Sequence, residues 1–157
     1  MLRPRHHHYN AIPVAHWCDG DSCELLLDDH LFKCRLIFID APEMPQPFGP
    51  QARDFALAMT TNRLSDVQVK GVDRYGRPLV IIEPHLSESV NFNLVFHGLA
   101  WAYRLPRNKH TPYSIAERYA KKHKRGLWSN PSPTPPWNWR KQMGRSKIHL
   151  RHVGDIS

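Results

Sequence analysis

Carboxylates are scarce in this 157-residue chain, 14 Asp and Glu against 22 Lys and Arg, so acids set among apolar neighbours stand out. Asp19-Gly20-Asp21 precedes the apolar run from Cys23 to Leu27, and Asp40-Ala41-Pro42-Glu43 follows the run from Phe32 to Ile39. If those runs are strands joined across Asp28-Asp29-His30, Asp21 and Asp40 meet approximately at the open end of one hairpin. Two carboxylates so placed repel unless positive charge lies between them. An all-oxygen set suits a hard divalent cation, calcium or magnesium. Taken singly, Asp-Gly-Asp is more often a polar turn than a metal site.

Two arginines bear on that choice. Arg35 lies mid-strand among Leu36, Ile37 and Phe38, where an unpaired guanidinium is costly. It either snorkels, or is neutralised by a core carboxylate, or faces a ligand. Arg77 closes the turn Asp73-Arg74-Tyr75-Gly76-Arg77, where the plainer reading is an exposed hairpin residue. Together the residues offer a cation site, a free carboxylate and two guanidinium forks. In-line attack of water on a phosphodiester needs that set, because charge grows on the phosphorus oxygens as the transition state forms.

The elements that must hold these groups are legible in outline. The two runs predict a hairpin, with Phe32, Cys34, Leu36 and Phe38 on one face and Lys33, Arg35, Ile37 and Ile39 on the other. Gly49-Pro50 opens a helix with Ala52, Phe55, Ala56 and Met59 as its apolar stripe. Val67–Val72 and Pro78–Ile82 form a second strand pair, with Gly76 where the turn needs positive φ. Val90 to His97 reads as a helix stopped by Gly98, and Thr111-Pro112 starts another that runs to about Arg125 with Ile115, Ala116 and Tyr119 on one side. Lys121, Lys122, Lys124 and Arg125 then match the dipole at its end, and Gly126 stops it. Pro131 to Pro136 stiffen an extended segment leading to Trp137-Asn138-Trp139-Arg140, expected to strap back over its own domain so that the indoles are buried. This order predicts a small β-barrel with packed helices.

Composition sets the outer bounds. A formal charge of +8 and 41% hydrophobic residues describe one folded domain whose surface attracts polyanions. No apolar stretch approaches the roughly 18 residues of a membrane span. Cys18, Cys23 and Cys34 form no C-x-x-C pair, which argues against zinc and for a reduced chain, with a Cys18–Cys23 bridge left open. Residues 1–11 and 141–157 are expected to be flexible, around a domain at 12–130 and a strap at 131–140. No obligate protein partner is evident. No signal peptide opens the chain as written, so the compartment is left unknown: secreted or periplasmic if a leader was removed, otherwise cytoplasmic.

The spaced motifs Asp19 to Ser22, Arg35 to Glu43 and Asp73 to Arg77 resemble the staphylococcal (micrococcal) nuclease family. Asn91, Gly98-Leu99-Ala100-Trp101, Gly126-Leu127-Trp128 and the Pro135-Pro136-Trp137-Asn138-Trp139-Arg140 stretch extend the likeness over roughly residues 12–140. The resemblance implies an α+β, mainly β fold: an OB-fold five-stranded barrel with three helices. It implies a calcium-dependent phosphodiesterase of DNA and RNA with little sequence preference, leaving 3′-phosphate ends. Asp21, Asp40 and the Ala41 backbone carbonyl match the family's calcium ligands. Glu43 matches the group that deprotonates or orients the attacking water, and Arg35 and Arg77 match the guanidiniums that grip the phosphate. Arg74, Tyr75, Tyr103 and Tyr113 are candidates for substrate contact. The loop Met44 to Pro50 is short, which bears on any substrate contacts made there. The rival reading is a non-catalytic OB module that binds single strands or a protein partner.

Overall fold

The computed structural model describes residues 7–105 and 111–144. The expected flexible ends therefore lie in part, at 1–6 and 145–157, outside the described residues.

Strands β2 (Ser22–Leu27) and β3 (His30–Leu36) form the expected hairpin. Its two turn residues, Asp28 and Asp29, sit at φ 48° and 62°, the left-handed pair that matches the twist of a tight hairpin. The ladder runs from Leu27–His30 back to Ser22–Arg35. Strand β1 (His7–Trp17) pairs with β2 at one end and with β5 (Leu64–Val72) at the other. A bulge between Tyr9 and Ile12 bends it from one neighbour toward the next. Strand β6 (Pro78–Pro84) returns antiparallel to β5, then lies parallel to β3 through Arg35–Leu79 and Leu36–Val80. This closes a five-stranded barrel in the order β1-β2-β3-β6-β5, as the OB-fold expectation requires. Leu36, Val67, Val69, Val80 and Ile82 fill it, and Val90, Leu94 and Val95 are buried with them.

Five differences from the sequence reading have local causes. The second hairpin strand ends at Leu36 rather than Ile39, because Phe38 turns at φ 70°. Ile39 and Asp40 become a separate short strand, β4, paired with β7 (Trp101–Ala102). Helix α1 (Gly49–Thr60) and helix α2 (Val90–Phe96) stand where expected, but α3 (Pro112–Lys122) stops short of Arg125 because Lys124 adopts φ 51°. A one-turn 3₁₀ helix, Gly126–Ser129, follows. The buried stripe of α3 is Ala116 and Ala120, while Ile115 is 52% exposed, one step of about 100° round the cylinder. The strap is not extended throughout: residues 136–144 form a fourth helix, α4. Pro136 is its first residue, where the missing N–H costs nothing. Strand β1 likewise begins at His7, inside the segment expected to be flexible, held by its ladder to Val67–Val69.

Candidate active site

The turn at Phe38 and the pairing of Asp40 with Trp101 swing the Asp40–Glu43 segment over the end of the β2–β3 hairpin. Asp21 and Asp40 are 3% and 0% exposed. Arg35 stands between them, its Nη2 at 3.2 Å from Asp40 Oδ1 and 3.6 Å from Asp21 Oδ2. The Ala41 N–H donates to Asp21 Oδ2 at 2.8 Å, which ties the two acidic segments directly. Gly49 fixes the loop from below: a Cβ there would stand 2.1 Å from the Glu43 carbonyl oxygen, so only glycine lets α1 start so close.

Burial and neighbouring negative charge push both acids toward their neutral forms. Asp21 is pushed up to about 6 by desolvation first and the charge of Asp19 next, against the pull of Arg35. Asp40 is raised as well, by desolvation, with Arg140, Asp21 and Arg35 acting on it in turn. Buried carboxylates that resist ionising are groups a cation would stabilise.

Two residues outside the expected site complete it. Arg140, on α4, forks onto Asp40 with Nη2 at 2.8 Å from Oδ2 and Nη1 at 3.3 Å from Oδ1, and Nη1 also bonds Glu43 Oε1 at 2.7 Å. Its guanidinium pKa is raised by those bonds. Buried Gln46 accepts from the Glu43 N–H at 2.8 Å and donates to the Thr134 carbonyl at 2.9 Å, joining the Glu43 backbone to the strap. The strap docks through Trp137, which stacks on Tyr103 at 5.3 Å and meets Trp101 edge-on at 6.2 Å. Gln46 carried a faint signal, a lone amide between Pro45 and Pro47. Arg140 had none beyond its place in the family-like stretch.

The structure brings Asp21, Arg35, Asp40, Ala41 and, through Arg140, Glu43 together. Arg77 lies two residues before Leu79, the β6 partner of Arg35, but its Nε bonds Asp73 Oδ2 at 2.8 Å within its own turn. Tyr75 is 69% exposed beside Arg74, whose Nη2 donates to its hydroxyl at 2.7 Å. Tyr103 belongs to the strap contact, and Tyr113 packs on Phe38 at 5.4 Å. The three cysteines are free, with Cys23 and Cys34 buried opposite one another across the hairpin. His16, Cys18 and Glu24 also place one ligand atom each within 4.8 Å of one another. Burial, Asp19 and Glu24 raise the Cys18 pKa.

Comparison with known proteins points the same way. The family model for staphylococcal nuclease homologues matches residues 33–130. Protein ParB of Escherichia coli is 37% identical over 143 residues, 85% of this chain and 81% of that protein. A micrococcal nuclease of Shigella flexneri is 36% identical over 138 residues, 82% of this chain and 79% of that one. An uncharacterized endonuclease of Escherichia coli O157:H7 is 34% identical over 127 residues, covering 81% and 82%.

Proposed function

Because the chain belongs to the staphylococcal nuclease homologue family, and is therefore a nuclease, a phosphodiesterase, we propose that it depends on calcium, cuts both DNA and RNA with little sequence preference, and leaves 3′-phosphate ends. The observation that carries this reading is the buried Asp21–Arg35–Asp40 cluster with Glu43 beside it. The donor set fits the ion: two buried carboxylates and the backbone carbonyl of Ala41, the residue after Asp40, are all hard oxygen, and desolvation of Asp21 raises its pKa, a cost a cation beside it would offset. Bound calcium would neutralise phosphate charge and fix the scissile group against the protein.

The chain's own residues supply the rest. Both carboxylate contacts of Arg35 run through Nη2, which leaves the remainder of its fork to bind phosphoryl oxygens as their charge rises. Arg77 reaches the same phosphate by exchanging Asp73 for it. Glu43, the least buried of the three acids, accepts the proton of an attacking water or orients that water. A net charge of +8 draws the polyanion to the surface before any specific contact forms.

Digestion of DNA and of RNA in calcium and in chelator tests the reading. Cleavage is expected only in calcium, and the new 5′ ends should accept a kinase label without prior phosphatase treatment. Glu43→Gln should slow hydrolysis by about 10²–10⁴-fold. Equal cutting in chelator would remove the calcium assignment, and strand binding without cutting would return the non-catalytic OB module.

A further inference from the structure

Arg140 holds the carboxylate oxygens that a divalent cation would need. Both oxygens of Asp40 already face a guanidinium: Oδ2 is 2.8 Å from Arg140, and Oδ1 is shared between Arg140 at 3.3 Å and Arg35 at 3.2 Å. A calcium ion takes carboxylate oxygens at about 2.3–2.6 Å, and a guanidinium on the same oxygens would be repelled by it. The two arginines differ in what holds them. Arg35 is fixed in the barrel ladder and its side chain is 18% exposed. Arg140 stands on α4 with a side chain 41% exposed, so it has a way out to water. The same guanidinium also occupies Glu43, with Nη1 at 2.7 Å from Oε1, the oxygen that would otherwise be open to water.

We propose that Arg140 and the divalent cation hold Asp40 in turn, so that loading the cation lifts Arg140 away and uncovers the Glu43 carboxylate. The strap is then part of the catalytic centre: it balances the acids while no cation is present and yields when one arrives. Gln46 and Trp137 keep α4 docked during the exchange, since neither contact involves Asp40 or the side chain of Glu43. The idea rests on the calcium reading above, and its test separates the two.

Calcium is titrated calorimetrically into the full-length wild type, Arg140→Gln and Arg140→Lys, with Asp40→Asn as the site control. Removing the competitor should tighten calcium binding about tenfold in Arg140→Gln, the scale of an ordinary coupling between two ligands. Arg140→Lys, which keeps the charge without the fork, should fall between. A second readout needs no activity: calcium should change the tryptophan emission of the wild type, since Trp139 immediately precedes Arg140 on α4, and this step should vanish in Arg140→Gln. Saturable calcium binding of equal or lower affinity in Arg140→Gln would overturn the exchange while leaving the calcium site intact. Absence of calcium binding in both proteins would overturn the calcium reading and the exchange with it.

Discussion

At the scale of single residues, the acids of this site are held against their own preference. Asp21 titrates near 6 in the folded protein and near 3.9 in an unfolded chain. Between those values the folded state binds the extra proton. The group's stabilising contribution is therefore complete below about pH 4 and lost as pH rises through about 6. Asp21→Asn keeps the shape and drops the charge. It should stabilise the metal-free protein at pH 7.5 by roughly 1–3 kcal/mol, with the gain gone below about pH 4. Urea unfolding in chelator at the two pH values measures this, and no gain at pH 7.5 would mean that Arg35 and Arg140 already balance the pair. The acids and Arg35 were legible in the sequence because a charge inside an apolar run is conspicuous. Arg140 was not: its partners lie 97 and 100 positions away, and only the turn of a helix aims it.

At the scale of elements, buried Asn91 clasps the site's supports. Its Nδ2 donates to the carbonyls of Ile37 at 3.0 Å and Val80 at 2.9 Å, while its Oδ1 accepts from the Ile82 N–H at 3.2 Å. One side chain thus joins α2, β6 and the turn that delivers Asp40. Asn91→Ala should cost about 2–5 kcal/mol in urea unfolding, because it strands backbone groups that water cannot reach. A loss below 1 kcal/mol would show that the clasp is dispensable. The hairpins and helices were readable because period and turn chemistry are local. The end of β3 was not, since alternation continues on paper through Phe38 while the backbone reverses there. The strap misled for a related reason: its prolines read as extended chain, yet Pro136 occupies the one part of a helix that accepts it.

At the scale of the whole molecule, the barrel closes where β3 meets β6, along only two residue pairs. Arg35 is in one of those pairs and Arg77 lies two positions before its partner Leu79. Pairings between segments so distant in sequence are slow to form, since the loop between them must be closed first. During refolding from denaturant, hydrolysis should therefore return after the bulk of the far-ultraviolet signal, and simultaneous recovery would show that the seam closes together with the rest of the barrel. The overall architecture was foreseeable from motif order, whereas this seam depends on a contact no local pattern encodes. Its consequence reaches past stability. Arg35 meets its two acids within one hairpin and the turn that follows it, whereas the turn that carries Arg77 is brought beside them only once this seam has formed, so a chain that has not closed its barrel holds an unfinished site.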